Sequence, residues 1–479
     1  MKLIHEKSRA GRVGSMPPCD ERAGLSAMEY VPDSMRRITP PKLPEVPEIE
    51  LVRHYSALAR GAFGVVDGFY PLGSCTMKYN PMLHEDIAAL PGFTQAHPLA
   101  PAGAVQGCLE AMYQLQEMIK ELTGMCAVTL APAAGAHGEL AGMLLIGAYH
   151  RSRGDAKRTR MIVPDSAHGT NPASSAMAGF DTVEILSRAD GRLDIDAIAE
   201  ALDERVAGLM LTNPNTLGLF EHDILKVSQM VHDAGGLLYY DGANYNAIMG
   251  RARPGDMGFD VIHINVHKTL STPHGMGGPG AGPVAVSARL RPFLPTPVAA
   301  FDGSKYALDH ESYEHSIGRI RGFYGNFTVL LRALCYMLAL GGEGLREVSG
   351  VAVLNANYLR ARLKDAFPIA GDAPCMHEFV MSMTQDTERG VHAVDYAKAL
   401  IDCGIHPPTM YFPLNVKEAL MVEPTETETI ETLDAFAEAM LELKRRAHTD
   451  AAWLMGAPRE AAIGRPDDVA AARNPVVRG

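Results

Sequence analysis

Apolar residues in this chain come largely in short, nearly unbroken blocks, at 160–163, 182–186, 206–211, 237–240 and 261–266. Blocks of that length with no alternation predict strands covered on both faces, as in a mostly parallel sheet. Between them the apolar positions recur at helical spacing, predicting helices over 194–207 and 223–234, the second stopped by Gly235 and Gly236. Upstream, Leu109, Met112, Tyr113, Leu115, Met118 and Ile119 share one face of a helix over 106–122, closed by Thr123-Gly124. A short apolar segment, 127–130, then leads through PAAGAHGE (132–139) into a helical run over 140–150, and a further strand is expected at 283–286.

The two ends of the chain differ from this middle. Residues 1–80 hold few periodic positions, and Pro32, Pro40, Pro41, Pro44 and Pro47 favour extended backbone, with one short helix over 48–60. A helix over 327–340 bridges to a second α/β region with strands at 378–383 and 419–422 and a helix over 391–403. A long last helix is expected to open on the capping box Thr425–Glu428 and to bury Ile430, Leu433, Phe436, Ala437, Met440 and Leu441. The expected division is an arm over 1–80, a large α/β domain over 81–325 with a mostly parallel sheet, and a smaller C-terminal α/β domain with a tail over 326–479.

Composition narrows the functional classes. With 479 residues, 47% hydrophobic and 21% charged, the chain has the make-up of a globular enzyme of two or three domains. A net charge of −12 argues against nucleic acid or an anionic membrane as partner. Seven cysteines without a CxxC pair predict a reducing, cytoplasmic setting with neither a disulfide framework nor structural zinc. No apolar stretch approaches the roughly 20 residues of a bilayer span. The start of the chain, where Lys2, Lys7, Arg9 and Arg12 are joined by Glu6, reads as a solvated arm rather than a targeting signal.

Chemistry enters where the predicted strands end. His168, Thr212-Asn213, Asp241 and Lys268 each stand just beyond a predicted strand. Ligands of open α/β sheets bind at that edge, so the set reads as one site. An acid and a lysine 27 residues apart on neighbouring strand ends suit pyridoxal 5'-phosphate. Its aldehyde needs a lysine imine, and its ring nitrogen needs an acid partner to stay protonated. The loop 132–139, almost bare of side chains at a helix start, suits a phosphate held on backbone N–H groups; a tight helix entry packed on the sheet is the alternative. His267 reads either as a cofactor contact or as a structural histidine. Gly275–Gly280 matches GxGxxG but lacks the following helix and the distal acid of a dinucleotide site. His137 with Glu139, and His377 with Glu378, lack the further ligands of a metal site.

Six segments together resemble the P-protein family of the glycine cleavage system, and within it the cofactor-bearing chain of the two-subunit bacterial form. They are GFYPLGSCTMKYNP (68–81), PAAGAHGE (132–139), PDSAHGTNPAS (164–174), TNPNTLGLFE (212–221), YYDGANYNAIMGRARPGDMGFDVIHINVHKTLSTPHG (239–275) and HPPTMYFPL (406–414). The resemblance implies the fold type I pyridoxal-phosphate architecture, with Lys268 as the imine lysine and Asp241 on the ring nitrogen. It implies His168 stacked on the ring, the amides of Ala134, Gly135 and Ala136 on the phosphate, Ala243 against the other ring face, and Thr216 or Thr212 near the phenolic oxygen. It further implies that glycine loses CO2 and that its aminomethyl group passes to the lipoyl arm of H-protein. The implied assembly is α2β2, with a sister subunit 1 that has lost the lysine. The loop 74–78 is then a candidate wall of the lipoyl channel, or else a well-bonded structural loop. In the arm, Leu43, Val46, Ile49, Leu51, Val52, Tyr55, Phe63, Phe69 and Tyr70 are expected to find burial on a partner. An aminotransferase would need a carboxylate-clamping arginine and a desulfurase a mobile cysteine, while a cofactor-free scaffold would have no use for Lys268.

Overall fold

The computed structural model describes residues 2–14, 30–39, 41–274, 280–371 and 374–476. Most of the GxGxxG match, at 275–279, therefore lies outside the described residues, as does Cys19. The chain divides into two units, residues 65–459 and a second made of 1–64 with 460–479.

The larger unit is built on a seven-stranded sheet. Its strands are β1 (Ala127–Thr129), β2 (Arg160–Pro164), β3 (Asp181–Ile185), β4 (Val206–Thr212), β5 (Leu237–Gly242), β6 (Val261–Ile264) and β7 (Val284–Val286), in the order β1-β7-β6-β5-β4-β2-β3. From β6 to β3 neighbouring strands run parallel, whereas β7 is antiparallel to both β6 and β1. Both faces are buried along β4, β5 and β6, as the apolar blocks require, whereas the outer strand β3 is largely exposed. Leu238 and Tyr240 of β5 pack into one core with Leu209 and Ile262. Leu237 and Tyr239 point the other way, into a core shared with the helix Gly135–Ser152. Each fully buried Leu, Ile or Val contributes roughly 1.5–3 kcal/mol of transfer free energy.

That helix lies unusually close to the sheet, and its glycines are the reason. A Cβ on Gly135 would stand 2.5 Å from the Asn265 amide, on Gly138 2.8 Å from the His263 Cβ, and on Gly142 2.4 Å from the Tyr239 ring. Its helical geometry begins at Gly135, so the expected bare loop ends five residues earlier than the sequence pattern suggested.

A two-stranded ribbon follows, β8 (Val298–Phe301) with β9 (Tyr306–Asp309). The helix Phe327–Leu363 runs well beyond the expected 340, passing a break at Gly341, whose φ is 62°. By length and composition it is the one helix among the described residues that could cross a membrane. Its apolar residues are instead shared by two cores, Val329, Leu330 and Leu334 in the first, and Ala356, Leu359 and Leu363 in a second. That second core covers a three-stranded sheet, β10 (Phe379–Ser382), β12 (Ala419–Val422) and β11 (Thr409–Met410), with the helices Ala393–Asp402 and Ile430–Thr449. The last helix opens directly after the expected box, on Thr429 rather than Thr425, and the Thr429 side chain accepts from the Thr432 N–H. Thr425 and Glu426 are engaged elsewhere: the Thr425 carbonyl accepts from Asn355, and Glu426 pairs with Lys78.

Phe69 is buried in this second core, edge-on to Phe436, and Tyr70 stacks on His406 at a centroid distance of 3.6 Å. Both had been expected to need a partner; they are satisfied within the chain. In the smaller unit the helix Glu48–Arg60 has the predicted bounds, yet buries only His54. Hydrogen bonds from Arg9 N–H to the Glu45 carbonyl and from Gly11 N–H to the Glu45 carboxylate tie its first residues to the segment before that helix.

Candidate active site

The parallel strands deliver their polar residues to one edge, in register. Thr212, the last residue of β4, stands opposite Asp241 of β5, which stands opposite His263 of β6. Asp241 thus lies within its strand rather than after it. The strand β6 stops at Ile264, short of the expected 266, and Lys268 rides on the one-turn helix Val266–Thr269. The cause is Asn265, whose carbonyl accepts from the N–H groups of both Lys268 and Thr269 at 3.0 Å. A cavity of about 290 Å³ opens here. Lys268, Asp241, His168, Ala134, Gly135, Ala136, Ala243, Thr212, Thr216 and His267 all line it. Asn213 does not: its Oδ1 accepts from the Glu221 N–H at 3.0 Å, and its carbonyl accepts from the Tyr240 hydroxyl.

Asp241 is the electrostatic centre. Burial alone would raise its carboxyl; the adjacent His263 ring, the Asn171 amide at 2.9 Å, the Ala243 N–H at 2.9 Å and the Lys268 ammonium outweigh burial and hold it below its ordinary value. It therefore stands as a buried carboxylate able to keep a ring nitrogen protonated. The same Asn171 amide donates to Glu139 at 3.0 Å, so one side chain joins two buried acids. Glu139 moves the opposite way, pushed up by burial and by the Asp241 charge.

At the other end of the cavity the helix Gly135–Ser152 starts on Ala134, which offers no side-chain cap. Its first N–H groups and the helix dipole suit an anion. The Thr212 Oγ1 and the His267 Nδ1 are buried without a hydrogen-bond partner, and both belong to cavity-lining residues. Burial, then the nearby His274 and Lys268, lower His267 to about 3, which leaves a neutral imidazole at neutral pH. Of the two threonines, Thr216 has its hydroxyl turned to the Ser166 carbonyl at 2.8 Å, so Thr212 is the one with a hydroxyl to offer. His168 is exposed at the rim, held by Thr170 at 2.8 Å and edge-on to Phe412 at 5.9 Å. An anion cradle, an ionised acid, a lysine and flanking rings are the donor set that a phosphorylated pyridine aldehyde fits.

Sequence reasoning missed several of the groups that complete the site. Glu139, Asn171 and His263 lie inside motifs already singled out, but only the register across strands shows that they converge on Asp241. Asn244, three residues after Asp241, and Phe412, from a distant segment, also line the cavity, as does Ser74 of the loop 74–78. His377 and Glu378, expected to lack further ligands, are joined by Glu423 from the end of β12, with the three ligand atoms within 4.8 Å of one another. The six described cysteines are free.

Comparison with known proteins bears on family and fold. A family model described as "Glycine cleavage system P-protein" matches residues 24–313, and another described as "Glycine dehydrogenase, C-terminal domain" matches 348–453. A probable glycine dehydrogenase (decarboxylating) subunit 2 of Caldanaerobacter subterraneus subsp. tengcongensis is 54% identical over 99% of this chain and 98% of its own length. One of the same name from Kosmotoga olearia is 55% identical over 99% and 98%. Among solved structures, an inhibitor-bound glycine decarboxylase (P-protein) of the glycine cleavage system superimposes with a TM-score of 0.74 at 23% identity, over 90% of this chain and all of that one. The glutamate decarboxylase of Lactobacillus brevis superimposes with a TM-score of 0.64 at 14% identity, over 88% and 97%. The architecture is that of the fold type I pyridoxal-phosphate enzymes, and the chain belongs to the glycine cleavage system P-protein family, with the glycine dehydrogenase (decarboxylating) subunits 2.

Proposed function

We propose that this chain binds pyridoxal 5'-phosphate, decarboxylates glycine and passes the remaining aminomethyl group to the lipoyl arm of H-protein. The observation that carries the reading is that Lys268, a buried and ionised Asp241, and an uncapped helix N-terminus line one cavity. When bound, the cofactor supplies an electron sink for the pair left behind as CO2 departs. The protein's own residues do the rest. Lys268 would hold the cofactor by its aldehyde carbon, and its free amine would serve as a base in the cavity. Asp241 holds the ring nitrogen protonated. The amides of Ala134, Gly135 and Ala136 carry the phosphate, with His267 and the Thr212 hydroxyl completing the polar lining. His168 and Ala243 flank the ring, and Thr216 supports the wall behind it through Ser166.

The printed name "subunit 2" of the relatives supports a separate subunit 1, and an α2β2 heterotetramer in the cytoplasm is the assembly proposed here. The test uses the purified chain with subunit 1 and added cofactor. Borohydride is expected to fix the cofactor onto Lys268, and the complex to exchange label between bicarbonate and the glycine carboxyl. Label on any other lysine, or absence of exchange in the complete mixture, overturns the reading.

A further inference from the structure

The loop 73–78 is held in an unusual way. Ser74 and Thr76 both have left-handed backbone, with φ of 55° and 51°, a conformation that costs a non-glycine residue about 1–3 kcal/mol. Each is gripped twice by a different buried acid. Glu378 accepts from the Ser74 N–H at 2.6 Å and from its hydroxyl at 3.0 Å. Glu423 accepts from the Thr76 N–H at 2.8 Å and from its hydroxyl at 2.5 Å. Two residues on, the Lys78 ammonium, 3% exposed as a residue, pairs with Glu426 at 2.6 Å. The three acids stand next to or near β10 and β12, far from the loop in sequence.

What the loop touches on its other side gives the grip a purpose. Ser74 lines the Lys268 cavity, and so does Asn244, which donates to Glu378 at 3.3 Å. Lys78 donates to the Thr269 carbonyl at 3.3 Å, and the Ser271 hydroxyl donates to the Tyr79 carbonyl at 2.9 Å. Thr269 ends the turn that carries Lys268. The loop therefore connects the two acids to the segment bearing the lysine. Glu378 is itself fixed from behind, since a Cβ on Gly218 would lie 1.9 Å from its carbonyl oxygen.

We infer that Glu378 and Glu423 are positioning residues for the reaction: they clamp Ser74 and Thr76 so that the loop forms a fixed wall of the active cavity and braces the turn carrying Lys268. The inference rests on the proposed glycine chemistry for its kinetic part only. Burial and the neighbouring Glu423 charge push Glu378 above its ordinary value, against the donations it receives from Ser74. Glutamine keeps an acceptor oxygen of the same reach for Ser74, while alanine removes the carboxyl altogether.

The experiment compares Glu378→Ala, Glu378→Gln and Glu423→Ala in the full chain with subunit 1 and cofactor present. Amide hydrogen exchange is read over residues 73–77 beside the kinetics of glycine–bicarbonate exchange. Both alanine variants are expected to lose protection in that peptide while melting and protection elsewhere stay near the parent. Their kcat is expected to fall about 100-fold, with KM for glycine changed only a few-fold, as for a displaced reacting geometry. Glu378→Gln is expected to keep the protection and to stay within about tenfold of the parent kcat, since the clamp survives. Unchanged protection in both alanine variants, parental kcat in both, or a glutamine variant no better than alanine would overturn the clamp. If the parent itself exchanges no label, the glycine reading falls, and the loop's protection still decides whether the clamp exists.

Discussion

Two buried acids share one amide at the centre of the site, and their titrations are driven apart. Asp241 is held low and Glu139 is pushed up, although both are bonded by Asn171. Asp241→Asn is expected to leave the cofactor bound but to lower glycine exchange by orders of magnitude, because an amide does not keep the ring nitrogen protonated. Exchange within a few-fold of the parent would contradict that role. Asn171→Ala leaves both acids short of a donor and is expected to destabilise the chain by about 1–3 kcal/mol, read as a lowered urea midpoint. Glu139 makes the pH dependence specific. Its folded value lies above its unfolded one, so between the two the native state binds more protons and stability falls as pH rises. Glu139→Gln removes this contribution, and its Tm is expected to decline less than the parent's as pH rises above the ordinary glutamate range.

At the scale of elements, the helix Gly135–Ser152 owes its seat to a stripe of glycines, and that seat is what brings its N-terminus into the cavity. Gly138→Val would drive a side chain into the His263 Cβ and the Gly282 carbonyl, 2.8 and 2.9 Å away. A loss of about 1–3 kcal/mol is expected from overpacking, together with weaker cofactor retention, measured by thermal melting and by titration of the visible band. The order and type of these elements were legible because buried parallel strands and amphipathic helices leave different periods in the sequence. Their ends were less so. Val266 continues the apolar run of β6, but Asn265 turns the chain, and apolar pattern carries no record of that bond. The Thr425–Glu428 box is chemically sound as a cap, yet Glu426 is claimed by Lys78 and Thr429 caps the helix instead. Residues named from single motifs, such as Asp241 and Lys268, could be found one at a time. Glu378, Glu423 and Asn171 act through contacts between segments distant in sequence, and only the fold brings those together.

For the whole molecule, the cores account for residues 65–459 far better than for the rest. On the helix Glu48–Arg60, Ile49, Val52 and Tyr55 are each more than half exposed. A row of apolar side chains on a charged helix suits the contact proposed with subunit 1. The double variant Val52→Glu/Tyr55→Glu is expected to melt like the parent as an isolated chain while binding subunit 1 at least about tenfold more weakly, followed by analytical ultracentrifugation. Parental association would remove the arm from the interface. The sheet itself sets a limit on how such chains assemble. Its outer strand β3 shows Asp181, Thr182 and Glu184 to solvent, two of them acids. A second copy adding its own β3 there would lay carboxylates alongside carboxylates, and like charges directly opposite are destabilising in a strand pair. The far edge, β1, is only three residues long and fully buried. Extension of this sheet by a second copy is thereby disfavoured at both ends.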